Sequence, residues 1–137
     1  MIRYMAIQLF NGVKHMRDHG FAHRDIKPEN VCFGEAFNLC LVDWGFATPY
    51  RPGLFQNDTK GSQSYMAPEV RAQESYDAHK ADIFSLGTLL FTLKTRKYPW
   101  NLAKKTEDSL YAPIAQGQPE RFWSQVTPVD QPEYFDG

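Results

Sequence analysis

The stretch His23-Arg24-Asp25-Ile26-Lys27-Pro28-Glu29-Asn30 is the most informative part of this 137-residue sequence. It places an imidazole, two carboxylates, two cationic side chains and a carboxamide in one short segment. A His-x-Asp pair alone would indicate little, because both residues often form local hydrogen bonds in turns. The lysine and the asparagine at fixed offsets after Asp25 make the pattern far more specific.

Two short apolar runs follow this stretch and predict a β-hairpin. The runs are Val31 to Phe33 and Leu39 to Val42, and polar residues and a glycine separate them. Antiparallel pairing brings the outer ends of a hairpin together, so Asn30 and Asp43 should converge. Two side-chain oxygens at one place suit Mg²⁺, which proteins commonly hold through one or two carboxylates plus substrate phosphates.

Four motifs, in this order, resemble those of the protein kinase family. They are H-R-D-x-x-x-x-N at residues 23–30, Asp43-Trp44-Gly45 in place of D-F-G, G-S-Q-S-Y-M-A-P-E at residues 61–69 as the end of an activation segment, and residues 82–87 in place of D-x-W-S-x-G. The resemblance covers residues 2–123. Lys27 is typical of the serine/threonine kinases, so the family implies serine or threonine as the acceptor.

The resemblance also implies the roles of the site residues and the cofactors ATP and Mg²⁺. Asp25 and Lys27 would be catalytic, with Asp25 orienting the substrate hydroxyl and Lys27 steadying the transferred phosphate. Asn30 and Asp43 would hold Mg²⁺ on the ATP phosphates. Cys32 would lie under the adenine ring.

Further residues would have structural or regulatory roles by the same resemblance. The structural set is His23, Trp44, Gly45, Ser62, Glu69 and Asp82. The Ser62 hydroxyl would bond Asp25 and Lys27, and Asp82 would accept bonds from backbone amides of the catalytic loop, which the resemblance places at residues 23–30. The regulatory pair is Arg24 and Thr59, because an activation-loop phosphate would dock on Arg24. Asp58 could supply a constitutive charge instead, and an unmodified polar loop is an equally good interpretation.

The apolar periodicity predicts a helix over residues 2–19 ending at Gly20, a central helix over 76–93 and a short one over 109–115. Residues 47–65 should form an irregular loop. The resemblance implies the α+β class, as a mainly helical C-terminal kinase lobe with two short hairpins near the cleft. Nothing matches a glycine-rich loop or a V-A-I-K lysine, so the N-terminal lobe is expected to be absent from this chain.

We expect residues 1–125 to form a partial catalytic lobe, and residues 126–137 to be a frayed tail or the start of missing terminal helices. Phe122 and Trp123 should anchor the chain before that tail. A formal net charge of -1 gives no general attraction to nucleic acid, and no apolar run approaches membrane-spanning length. Without a secretory signal, a cytoplasmic location is expected, with Cys32 and Cys40 as free thiols in the core.

Three functions compete. The first is a serine/threonine protein kinase that transfers the ATP γ-phosphate to protein hydroxyls, seen as a fragment whose activity in isolation is doubtful. The second is a catalytically inactive kinase-like scaffold. The third is a small-molecule phosphotransferase, which the activation segment from Asp43 to Glu69 disfavours, because a peptide-binding enzyme needs such a segment. The expected partners of the first are ATP and proteins with serine or threonine acceptors.

Overall fold

The computed structural model describes residues 1–101, 103 and 108–126. The helices in this part are α1 (Ile2–Asp18), α2 (Pro68–Arg71), α3 (Ala78–Thr95), α4 (Tyr111–Ala115) and α5 (Pro119–Gln125). The strands are β1 (Phe21–Ala22), β2 (Val31–Phe33), β3 (Leu39–Leu41), β4 (Thr48–Pro49), β5 (Phe55–Gln56) and β6 (Tyr76–Asp77). They pair antiparallel as β1–β4, β2–β3 and β5–β6. A mainly helical chain with small sheets agrees with the predicted α+β class.

Helix α1 forms where the apolar stripe predicts it. Leu9, Val13 and Met16 recur at helical spacing and are buried on one face. The helix ends one residue earlier than predicted, at Asp18, and Gly20 follows with a φ of +79°. That left-handed conformation suits glycine, and it turns the chain into β1.

The start of α3 differs from the prediction. The first two residues of the predicted helix form strand β6 instead and pair with β5. Asp77 then caps the helix, because its Oδ1 accepts a bond of 3.0 Å from the backbone N–H of Lys80. The helix therefore begins at Ala78 and continues to Thr95.

The main core lies between α1 and α3. Its buried side chains are Leu9, Val13, Ile26, Tyr65, Leu86 and Leu89. Burying each large aliphatic side chain contributes about 1.5–3 kcal/mol. Ile26 lies within residues 23–30, so this stretch is packed directly onto the helical core.

The β2–β3 hairpin is confirmed, but the prediction that its cysteines are buried is wrong. Val31 pairs with Leu41, and both lie against the main core. Side chains alternate between the faces of a strand, so Cys32 and Cys40 lie on the opposite face. Both cysteines are free, as predicted, and exposed.

The segment 47–65 is more ordered than predicted, because β4 pairs with β1 and β5 pairs with β6. Near the end of the described chain, Phe122 is buried among aromatic rings. Trp123 is 60% exposed, so only the first residue of the predicted anchor is enclosed. The short helix α4 begins two residues later than predicted, at Tyr111.

The predicted tail begins at residue 126, and its residues 127–137 lie outside the described residues. No helix in the described ranges combines the length and apolarity that crossing a membrane requires.

Candidate functional site

Asp82, near the start of α3, fixes the backbone of residues 23–30. Its Oδ2 accepts from the N–H of His23 and its Oδ1 from the N–H of Arg24, both at 2.7 Å. This is the contact that the resemblance implies for Asp82. Burial raises the pKa of Asp82 to about 6, although the two amide bonds favour its charged form. The carboxylate also supports Arg24 in a left-handed conformation, with a φ of +66°.

His23 links this backbone to the hairpin. Its ring is fully buried, and its Nε2 lies 3.1 Å from the carbonyl oxygen of Val42. Its Nδ1 accepts from the N–H of Asp25, which places the ring proton on Nε2. Burial lowers the pKa of His23, so the imidazole is neutral near pH 7. The half-exposed ring of Trp44 lies 5.6 Å from the His23 ring.

Asp25, Lys27 and Ser62 form one connected group. The Lys27 Nζ lies 2.8 Å from Asp25 Oδ2 and donates to Ser62 Oγ, also at 2.8 Å. The backbone N–H of Ser62 donates to Asp25 Oδ1 at 2.8 Å. Burial raises the pKa of Asp25, but these bonds and the lysine charge outweigh burial and lower the pKa overall. The bond to Asp25 raises the pKa of Lys27.

Asn30 and Asp43 lie at the two outer ends of the hairpin. The Asn30 Nδ2 donates to the Asp25 carbonyl oxygen at 2.8 Å and to Asp25 Oδ2 at 3.2 Å. Both bonds use the nitrogen, so the carboxamide oxygen is the atom suited to a cation. The N–H of Val42 donates to the Asn30 carbonyl oxygen, and exposed Asp43 follows with a φ of +60°. A carboxylate and a carboxamide oxygen are ligands that fit Mg²⁺.

Gly61 allows the activation segment to approach residues 23–30. It has a φ of +108°, and a Cβ at this position would lie 2.5 Å from the Arg24 carbonyl oxygen. Glycine is therefore required for Ser62 to reach Asp25. The motif already contained this glycine, but sequence reasoning assigned it no role.

Arg24 forms an ion pair with Asp58, and it does not contact the Thr59 hydroxyl. The Arg24 Nη1 lies 2.6 Å from Asp58 Oδ1, and its Nε donates to the Phe46 carbonyl oxygen at 2.7 Å. The Tyr76 hydroxyl donates to the same Asp58 oxygen at 3.4 Å. The Thr59 hydroxyl makes a long bond of 3.5 Å to the Val70 carbonyl oxygen. Sequence reasoning missed Tyr76, whose strand is too short to leave a local signal.

The remaining predicted residues lie at the edges of the site. Cys32 is exposed on β2, and Gly45 donates its N–H to Asp43 Oδ1 at 3.3 Å. Glu69 lies in the first turn of α2, and the described residues provide no ion pair for it. Burial, followed by the charge of Glu69, raises the pKa of Tyr111. The charge of Glu69 therefore acts on the hydroxyl of Tyr111 in α4.

Comparisons with known proteins agree on one family. A family model described as "Protein kinase domain" matches residues 1–129. The chain is 41% identical to serine/threonine-protein kinase CHK1 of Saccharomyces cerevisiae over 111 residues, which are 76% of this chain and 21% of that protein. It is 39% identical to serine/threonine-protein kinase HAL5 of Candida glabrata over 111 residues, 77% of this chain and 14% of that protein. It is 32% identical to serine/threonine-protein kinase hal4 of Schizosaccharomyces pombe, over 77% of this chain and 17% of that protein. The chain thus spans only 14–21% of the length of these relatives.

Proposed function

The chain belongs to the protein kinase family, and on that premise we propose that it is part of an active serine/threonine protein kinase. The reaction is transfer of the ATP γ-phosphate to serine or threonine hydroxyls of proteins. The names of the relatives support this acceptor class. We propose that residues 1–125 form part of the catalytic lobe.

The observation that carries the proposal is the group around Asp25. Its carboxylate is ionised, accepts from Lys27 and Ser62, and lies beside Asn30. An ionised carboxylate can orient a substrate hydroxyl and accept its proton as the oxygen attacks phosphorus. The Lys27 ammonium then lies where negative charge collects on the transferred group, and fixed charges of this kind stabilise the transition state.

The nucleotide would lie on the other side of Asn30. The Asn30 oxygen and Asp43 would hold Mg²⁺, and Cys32 would contact the adenine ring. Bound Mg²⁺ supplies charge neutralisation for the phosphates. The Asp43 backbone is left-handed, with a φ of +60°, and its carboxylate accepts a bond from the N–H of Gly45.

We also propose that Arg24 has a regulatory role and holds the activation segment through Asp58 in the unphosphorylated chain. A phosphate on Thr59 would compete with Asp58 for the same guanidinium, because Thr59 is its sequence neighbour. Trp44, Gly45, Ser62, Glu69 and Asp82 are proposed to keep the segment and the catalytic loop in place.

The test uses the native product that contains this chain, isolated from its source, with γ-labelled ATP, Mg²⁺ and a general protein substrate. We expect label on serine and threonine. Asp25→Asn should lower transfer by about 10²–10⁴-fold, because it removes the proton acceptor together with the charge that pairs with Lys27, and ATP binding should change much less. Asp43→Asn should weaken Mg²⁺-dependent ATP binding.

The control is Asp18→Asn, which removes an exposed carboxylate on α1 outside the site. It should transfer phosphate like the unaltered protein. Binding of Mg·ATP without any transfer would contradict the enzyme proposal and favour a nucleotide-binding scaffold.

A further inference from the structure

Cys32 and Cys40 lie directly opposite one another on β2 and β3. The N–H of Gly34 donates to the Asn38 carbonyl oxygen at 2.6 Å, which fixes the hydrogen-bonding register. Hydrogen-bonded pairs alternate along an antiparallel ladder, so the cysteines, two residues further along each strand, also form such a pair. Their Cα atoms are then about 5.5 Å apart, inside the range of about 4.4–6.8 Å that a disulfide bridges. The Cβ atoms of a hydrogen-bonded pair are also about 5.5 Å apart, so the two strands must move together for the Cβ atoms to reach the roughly 3.5–4.5 Å of a disulfide.

The two thiols also share one accessible face. Both are free and exposed. The Sγ of Cys40 lies 3.4 Å from the position that a Cβ would occupy on Gly34. Gly34 follows Cys32 by two residues, so it projects to the same face as Cys32. The Cys40 sulfur therefore lies over β2 on the side where the Cys32 side chain projects.

We propose that Cys32 and Cys40 form a dithiol modification site, which glutathione disulfide closes to an intramolecular disulfide. One cysteine thiolate attacks glutathione disulfide, forms a mixed disulfide and displaces one glutathione thiolate. The second cysteine thiolate attacks the mixed disulfide at the cysteine sulfur, forms the Cys32–Cys40 bond and displaces the second glutathione thiolate. The protein gives up two protons and two electrons, and glutathione disulfide becomes two molecules of glutathione.

Forming this disulfide draws β2 and β3 together, and so it changes the shape of the hairpin whose ends carry Asn30 and Asp43. It also draws the Cys32 sulfur toward β3, away from the position proposed under the adenine ring. Oxidation should therefore weaken Mg·ATP binding. This consequence rests on the proposed function, whereas the modification itself rests only on the hairpin geometry.

The modification is tested by treating dilute protein with glutathione disulfide and measuring the intact mass and the free thiols. We expect a monomer that loses two hydrogen atoms, retains no reactive thiol and yields a cross-linked peptide pair. The Cys40→Ser variant cannot close the bond and should gain one glutathione instead. Stable glutathione adducts on the unaltered protein, two remaining thiols or disulfide-linked dimers would each overturn the proposal.

The consequence is tested by titrating a fluorescent ATP analogue with Mg²⁺ into the reduced and the oxidised protein. We expect about a tenfold or larger loss of affinity on oxidation, and dithiothreitol should restore it. The same affinity in both forms would refute the effect on nucleotide binding. If the reduced protein does not bind the analogue, the proposed function fails, and the mass measurement still decides the modification site.

Discussion

Gly61 lies in the activation segment directly against the backbone of Arg24. Two properties of this position demand glycine: its positive φ and the carbonyl oxygen of Arg24 that a side chain would meet. Gly53 has a similar positive φ of +82°, but a Cβ there would meet nothing within 4 Å. The two glycines therefore allow backbone strain to be separated from steric contact.

We expect Gly61→Ala to lower the free energy of unfolding by more than Gly53→Ala does. Strain of the backbone alone costs about 1 kcal/mol in both variants, and the contact with Arg24 adds to it only at residue 61. Urea denaturation of both variants measures the difference. Equal losses would mean that the segment does not lie against the catalytic loop as described. Gly61→Ala should also lower phosphate transfer, because it moves the Ser62 N–H away from Asp25.

At the scale of elements, the segment between β4 and α2 is held at its end by Ser62 and Tyr65, and before Gly61 by strand β5 and Asp58. Strand β5 contributes a two-residue pairing with β6, and Arg24 contributes its ion pair with Asp58. The arginine side chain is only 9% exposed, whereas that of Asp58 is 43% exposed. A pair with one exposed partner contributes about 0.2–1 kcal/mol to global stability, so its main effect should be local.

We expect Asp58→Asn to accelerate amide hydrogen exchange in residues 47–65, with little change in the denaturation midpoint. Removal of the carboxylate charge releases the segment from Arg24, so it opens more often. Thr59→Ala should leave the exchange unchanged, since the Thr59 hydroxyl makes only a long bond to Val70. Faster exchange in Thr59→Ala than in Asp58→Asn would assign the anchoring role to Thr59 instead.

At the scale of the whole molecule, Asp82 connects the central helix to the catalytic loop across 58 and 59 residues of sequence. Asp82→Asn leaves one oxygen to accept two N–H donors and places an amide N–H against one of them. A buried donor without a partner costs about 1–3 kcal/mol, so the variant should be less stable.

The size of this loss should depend on pH. Burial raises the pKa of Asp82 from 3.8 to about 6, so the folded state favours its protonated form. The stability that this shift contributes is complete below pH 3.8 and is lost as the pH rises through 6. Asparagine does not titrate, so the difference in unfolding free energy between the two proteins should shrink from pH 4 to pH 7. Urea denaturation across this range measures it, and a difference that grows with pH would contradict the assignment.

The sequence by itself determined the family and the elements with a strong local pattern. Helix α1 was predictable because Leu9, Val13 and Met16 recur at helical spacing. The β2–β3 hairpin was predictable because two apolar runs flank a short polar turn. Such patterns involve neighbours in the chain, and the sequence displays neighbours directly.

Only the tertiary structure decided which side chain meets Arg24, why Gly61 must be glycine and which face of the hairpin carries the cysteines. Strands β5 and β6 are two residues long, and their pairing joins residues about twenty positions apart. A two-residue strand is too short for a repeating pattern, and a contact with Asp58 instead of Thr59 depends on where packing places the backbone. These features depend on the position of the whole chain in space, so no local segment of the sequence encodes them.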